Sequence, residues 1–182
     1  EFWEQDLLLR RNGAVSSDPK RLGVPWYRTG LVMLYNRSWA RELGYRSSPD
    51  TVDRFRQQVC AAAQANQNDA DRSNNGTGGW LVTNDPMLFV GWIHAFEGDI
   101  ERPDGTGYDF STPEAERAVQ YLAALITDGC AWIPTDEAAP DAFAGRRTIA
   151  WIGSVASLPQ QQQALKLTGN ADDWIVLPFP VK

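Results

Sequence analysis

The sequence has few of the side chains used for catalysis and metal binding. One histidine, His94, and two cysteines, Cys60 and Cys130, occur in 182 residues. The cysteines form no CxxC pair, so we expect no zinc site and no cofactor. A serine or cysteine nucleophile needs a base, and His94 lies in an apolar stretch beside Ile93 and Ala95. We interpret it as a helix-face histidine with a satisfied hydrogen bond, and we expect no catalytic residue.

The sequence also lacks the signatures of nucleotide, nucleic-acid and membrane binding. It contains no GxGxxG, GxxxxGK[ST] or GxSxG motif. The net charge is -6, and the longest basic runs are pairs such as Arg146-Arg147, too short to follow a phosphate backbone. No apolar run is long enough to cross a bilayer. We therefore expect no nucleic-acid partner and no membrane-spanning segment in this sequence.

What remains is a globular composition with many tryptophans. The chain is 43% hydrophobic and 22% charged, which is enough for a domain with a core. Eight tryptophans are an unusually high number, and some of them are expected in the core. Tryptophan also suits flat, half-apolar ligands, so some of the eight are candidates for a binding site.

Apolar runs alternate with amphipathic segments along the chain. Residues 30–35, 79–83, 148–152 and 173–178 are typical of strands, with helical segments between them. This alternation predicts an α/β fold whose mostly parallel sheet has helices on both faces. One helix is predicted to open at Gly153-Ser154 and to end near Leu158.

Two predicted strand-to-helix turns are candidate binding sites. They are Thr83-Asn84-Asp85 and Ile152-Gly153-Ser154. Ligands of open α/β sheets gather at the carboxyl ends of the strands, where helix N-termini offer N–H donors. Asp85 is either a contact for ligand hydroxyls or only a helix N-cap, and the sequence leaves both open.

Four groups of segments carry a family resemblance. They are 23–30 leading into 34–37; 48–53; 95–100 followed by 111–115; and 142–150 closed by 174–178. In this order and spacing they resemble the extracellular solute-binding proteins of family 1. These are the sugar receptors of bacterial ABC importers, and the maltose-binding protein is a member.

The resemblance implies a fold, a domain organisation and a location. Family members have two α/β lobes of the periplasmic-binding-protein type II class, with the ligand in the cleft between them. Residues 1–28 correspond to the end of the first lobe and the segment that enters the hinge. Residues 29–178 correspond to the second, C-terminal lobe, and 179–182 to the exit toward the hinge. The implied protein is exported to the periplasm or the outer cell surface and delivers its ligand to an ABC permease.

The same resemblance places ligand-binding residues at the hinge and at the two turns: Trp26, Tyr27, Arg28, Thr29, Asn84, Asp85, Met87, Gly153, Ser154 and Val155. Met87 and Val155 depart from the pattern, because the family often has aromatic side chains there. Trp151 supplies the missing ring if its side chain faces the cleft; otherwise it is a core residue.

The resulting hypothesis is non-catalytic binding of a small hydroxylated solute, a sugar, for import. One alternative is a carbohydrate-active enzyme that uses carboxylates from Asp85, Glu97, Asp99 or Glu101. The other is a domain that senses a solute by closure of its hinge.

A disulfide between Cys60 and Cys130 follows from the expected export, since paired cysteines are commonly bonded in oxidising compartments. Cys60 lies in a predicted helix, and Cys130 directly follows Gly129, which ends another. The alternative is two buried free thiols.

Overall fold

The computed structural model describes residues 29–182. Its strands are β1 (Leu31–Asn36), β2 (Gly78–Leu81), β3 (Ala131–Trp132), β4 (Thr148–Ser154) and β5 (Trp174–Leu177). Its α-helices are α1 (Arg37–Glu42), α2 (Val52–Asn68), α3 (Pro86–Ala95), α4 (Pro113–Thr127), α5 (Ala139–Ala144) and α6 (Leu158–Thr168). Within this part of the chain, every helix is too short or too polar to cross a bilayer.

The five strands form one sheet in the order β3-β2-β4-β1-β5. β2 pairs in parallel with β3 and with β4, whereas β1 lies between β4 and β5 and is antiparallel to both. Four strands therefore run in one direction and β1 runs in the other. The predicted α/β class is confirmed, with β1 as the exception to the parallel arrangement.

Helices cover both faces of the sheet, as predicted. Met33 and Tyr35 of β1 pack with residues of α2 and α3 in the larger core. Leu34, between them, points the opposite way and packs with Phe143 of α5 and Trp151 of β4. This alternation is the two-residue period of a strand, with apolar side chains on both faces because both are covered.

Part of the tryptophan content belongs to the core. Trp80 of β2 and Trp92 of α3 are 1% and 0% exposed, and their ring centroids lie 5.4 Å apart. The ring centroid of Phe55 in α2 lies 5.8 Å from that of Trp80 and 5.4 Å from that of Trp92. These edge-to-face and tilted contacts join α2 and α3 over the sheet, and such pairs contribute about 0.5–1.5 kcal/mol each beyond area burial.

The predicted disulfide is present. Cys60 of α2 and Cys130 are bonded, with Cα atoms 4.3 Å apart. Cys130 immediately precedes β3, so the bond joins α2 to the edge of the sheet. Gly79 lies between them, and a Cβ there would stand 2.0 Å from the Cys130 carbonyl oxygen. Only glycine at position 79 allows β2 to pass this close to the backbone of Cys130.

Two local predictions were wrong or incomplete. The chain after Ser154 makes a short 3-10 turn at Val155–Ser157, and Leu158 begins α6, whereas the sequence predicted a helix ending there. Pro159 occupies the first turn of α6, which suits a helix start. β3 was not predicted because two residues are too few to show a strand period.

A charged cluster anchors the loop before β5. Arg146 donates to Asp172 at 2.6 and 2.7 Å and to Glu42 at 2.7 and 2.8 Å. Asn36 adds a hydrogen bond to Asp172 at 2.7 Å. The hydrogen bonds from Arg146, and then those from Asn36 and Asn170, hold the pKa of the Asp172 carboxyl below its ordinary value.

Candidate ligand-binding site

An open pocket of about 580 Å³ lies at one edge of the sheet. Three strands end at this edge. Ser154 at the end of β4, Pro178 just after β5 and Asp85 after β2 all line the pocket. β1 runs the other way, so its first residue, Leu31, lies at the same edge. The pocket therefore occupies the carboxyl-end position at which open α/β sheets bind ligands.

Helix α3 forms one wall of the pocket. Asp85 is its N-cap and Pro86 occupies its first turn, which fixes where the helix begins. From that start, Met87, Gly91 and His94 recur at spacings of four and three residues and share the face that lines the pocket. The local signals that begin α3 thus also determine which of its side chains reach the cavity.

Asp85 is both a helix cap and a pocket residue. Its Oδ1 accepts a hydrogen bond from the Met87 N–H at 2.9 Å. The hydrogen bonds that the Asp85 side chain makes among residues 29–182 use only this oxygen, and a carboxylate oxygen is an acceptor that suits a ligand hydroxyl. The structure therefore shows the capping role and is compatible with the binding role as well.

Two hydrogen-bonded hydroxyl groups, from Thr29 and Ser154, belong to the pocket lining. Thr29 Oγ1 and Ser154 Oγ are 2.6 Å apart, and they join the chain before β1 to the end of β4. Ser154 Oγ also accepts a hydrogen bond from the Ala156 N–H at 3.1 Å. Next to this pair, the Val155 N–H donates to the Gly30 carbonyl at 3.0 Å. These contacts hold the two hydroxyls in place beside the cavity.

The imidazole of His94 also lines the pocket. Its Nδ1 lies 2.8 Å from the carbonyl oxygen of Gly98. A carbonyl oxygen only accepts, so Nδ1 is the donor in this hydrogen bond. The sequence predicted a helix-face histidine with a satisfied hydrogen bond, and the contact of Nδ1 with Gly98 agrees with that prediction. The sequence analysis did not predict that His94 also lines the cavity.

The remaining wall is apolar. The polar side chains among the described lining residues are Thr29, Asp85, His94 and Ser154. The others are Gly30, Leu31, Met87, Val90, Gly91, Ala95, Pro178, Phe179 and Val181. A few polar groups around an apolar floor are typical of small-molecule sites, and the volume lies within their usual range of about 300–1,000 Å³.

The structure brings together part of the predicted site. Thr29, Asp85, Met87 and Ser154 all line the pocket. The described lining does not include Asn84, Gly153, Val155 or Trp151. Trp26, Tyr27 and Arg28 lie outside the described residues.

Trp151 does not supply a ring to the pocket. It is 3% exposed and packs on the α5 side of the sheet, and its indole N–H donates to Gln161 Oε1 at 2.9 Å. Its ring also covers Gly153, where an added Cβ would lie 2.2 Å from the Trp151 Cζ3 atom. Trp151 is thus a core residue, and its neighbour Gly153 is buried beneath it.

Sequence reasoning missed His94 and Phe179 as pocket residues. The helical spacing from Asp85 could have found His94, because 87, 91 and 94 share one face of α3. Phe179 follows the carboxyl end of β5, which is the same kind of position as the two turns that were singled out.

The fold is similar to many solved structures, and three examples represent them. UgpB from Mycobacterium tuberculosis, in complex with glycerophosphocholine, has a TM-score of 0.70 at 17% identity over 98% of this chain and 41% of its own. An ABC-transporter solute-binding protein from Thermotoga lettingae, bound with α-D-tagatose, has a TM-score of 0.68 at 21% identity, with coverage of 99% and 47%. The GacH receptor of Streptomyces glaucescens, described unliganded and with acarbose, has a TM-score of 0.65 at 18% identity, with coverage of 84% and 38%.

These likenesses confirm the predicted fold class, a lobe of the periplasmic-binding-protein type. The chain spans less than half of the length of each of the three proteins. No family model and no curated protein matches the sequence. At this level of identity, the similarity establishes the fold.

Proposed function

We propose that this chain is the second lobe of a receptor that binds a small hydroxylated solute, a sugar, and does not transform it. The observation that carries the proposal is the pocket at the strand ends, where two hydroxyls, a carboxylate and an imidazole surround an apolar floor. A sugar has the matching surface, since its hydroxyls pair with polar groups and its C–H faces cover apolar ones.

The similar structures support the same class of ligand. The three described above are named with acarbose, glycerophosphocholine and tagatose, each of which carries two or more hydroxyl groups. Two-lobed receptors bury their ligand by closing about a hinge. In this proposal, residues 1–28 are the end of the first lobe and the segment that enters the hinge, 29–178 form the second lobe, and 179–182 lead back to the hinge. The first lobe supplies the rest of the cleft.

An enzyme acting on carbohydrate is less well supported by the wall of the pocket. Glycoside hydrolysis usually needs two carboxylates on either side of the scissile bond. Among residues 29–182, Asp85 is the carboxylate that lines the cavity. Glu97, Asp99 and Glu101 lie beyond the end of α3, are solvent-exposed and are not part of the lining. This arrangement suits binding of hydroxyls.

The proposal extends to transport. A receptor of this kind works outside the cell membrane, held near it by a lipid anchor or free in the periplasm, and passes its ligand to an ABC permease. An exported location is consistent with the disulfide, because such bonds persist in oxidising compartments.

Ligand screening on the intact protein tests the proposal. Thermal unfolding is measured with tagatose, maltose, acarbose and glycerophosphocholine, and hits are confirmed by isothermal titration. A true ligand at one hundred times its Kd should stabilise the folded state by about 2.7 kcal/mol. Release of a reducing sugar or other product during incubation would instead favour the enzyme. No binding across a broad panel of sugars and polyols would refute the proposal.

A further inference from the structure

Among residues 29–182, the aromatic side chain that lines the pocket is Phe179. It follows β5 and lines the pocket as a half-buried side chain. The positions where the family resemblance leads one to expect an aromatic residue hold Met87 and Val155, and Trp151 is buried on the other face of the sheet. Phe179 thus offers an aromatic surface that none of these three residues provides.

Gly91 determines where this ring lies. A Cβ added at Gly91 would stand 2.5 Å from Cζ and 2.6 Å from Cε1 of Phe179. These are distances that real side chains do not reach, so the ring rests directly on the backbone of α3. Glycine is less favourable than alanine inside a helix, and the close approach of the Phe179 ring is a structural reason for glycine at position 91.

A second contact fixes the orientation of the ring. Phe179 and Trp92 meet edge to face, with centroids 5.7 Å apart and ring planes at 76°. Trp92 is itself fully buried, so it is a rigid support. Contacts with Gly91 and Trp92 hold the ring of Phe179 in one orientation. Ligand binding therefore carries little entropy cost for ordering this side chain.

The polar groups of the pocket share its lining with Phe179. Asp85 and His94 come before and after Gly91 in the sequence, at the two ends of α3, and the Thr29–Ser154 hydroxyl pair belongs to the same lining. A cyclic sugar lying on the ring would direct its hydroxyl edge toward these groups. Aromatic rings favour such contacts because their faces are apolar and carry partial negative charge.

We propose that Phe179 is the stacking surface of the site for a cyclic sugar and that Gly91 holds it in place. The inference rests on the proposed function, and it adds a residue that sets ligand specificity. It predicts a preference for ring sugars over open-chain polyols, because only a closed ring presents a flat C–H face.

The test uses four variants of the intact protein and the cyclic sugar that binds best in the screen. Phe179→Leu keeps apolar bulk but removes the ring, Phe179→Trp keeps a ring, and Gly91→Ala displaces the ring. Phe110→Leu is the matched control, because Phe110 is 50% exposed and lies outside this pocket. Affinities are measured by isothermal titration for the sugar and for sorbitol, an open-chain polyol, and the melting temperature confirms folding.

We expect Phe179→Leu and Gly91→Ala to weaken binding of the cyclic sugar by about threefold to tenfold, the scale of an aromatic contact. Their affinity for sorbitol should change by less than twofold, a selectivity change that a merely structural role would not produce. Phe110→Leu should bind like the wild type, and Phe179→Trp, which keeps a ring, should retain more affinity for the cyclic sugar than Phe179→Leu. Equal affinity of Phe179→Leu and wild type would overturn the inference and leave the proposed function standing. Failure of every sugar to bind the wild type would refute both.

Discussion

Removal of the Cys60–Cys130 bond should destabilise the protein strongly. The bond closes a loop with a sequence separation of 70 residues. The chain-entropy relation then gives about 4.4 kcal/mol at 25 °C as the stability lost when the cross-link is absent. This value is an upper figure, since strain in the native state and residual structure in the unfolded chain both reduce the effect.

The native structure itself should survive without the bond. α2 also packs on β2 through Phe55 and Trp80, and Gly79 lets β2 approach α2 and Cys130 closely. Substitution of Cys60 and Cys130 by alanine should therefore act mainly on the unfolded state. That state becomes more expanded without the cross-link, so the slope of unfolding free energy against urea should increase as the midpoint falls.

The assay is urea unfolding followed by tryptophan fluorescence, for the wild type, the reduced wild type and the Cys60→Ala/Cys130→Ala variant. Both forms without the bond should lose about 2–4 kcal/mol and agree with each other. A loss below about 1 kcal/mol would refute the entropic argument. Labelling of both thiols in the unreduced, denatured protein would refute the bond itself.

The remaining predictions concern the site, the charged cluster and the core. Asp85→Asn keeps the N-cap and should weaken sugar binding by about 1.5–3 kcal/mol with little loss of stability, as titration and melting would show; unchanged affinity would leave Asp85 as a cap only. Because the folded-state pKa of Asp172 is lowered, its stabilisation is complete above its unfolded pKa and is lost as pH falls below about 4. Asp172→Asn should remove that part of the acid dependence in pH-dependent urea unfolding and cost about 1.5–3 kcal/mol at neutral pH; an unchanged acid limb would contradict the assignment. Trp92→Ala should cost about 3–5 kcal/mol in the same assay, and a loss below about 1 kcal/mol would contradict its place in the core. The 182-residue chain alone should bind sugars far more weakly than the intact protein by titration, and sub-micromolar affinity would show that this lobe suffices.

Local signals in the sequence were enough to predict most of the elements. The apolar run that became β1 and the cap at Asp85 are features of neighbouring residues, so they can be read without knowledge of the fold. The position of the pocket was also partly predictable. Parallel strands place their carboxyl ends at one edge, and this brought Asp85 and Ser154 together as expected.

The direction of Trp151 could not be predicted. Six of the seven residues of β4 are buried, because helices cover both faces of the sheet, so the strand has no alternation of polar and apolar residues. Without that alternation, nothing local tells which face a given side chain occupies. The sheet register decided it, by pairing Leu34 of β1 with Trp151 and thereby placing both on the α5 side.

The sequence by itself determined the class of fold, most of the helix starts and the polar residues at the strand ends, because each depends on a few neighbouring side chains. Only the tertiary structure decided which aromatic residue reaches the pocket. Phe179 meets Gly91 because α3 packs beside the residues that follow β5, an edge strand of the sheet. These two residues are far apart in the chain, and their contact depends on strand order and helix packing, which leave no periodic signal in the sequence.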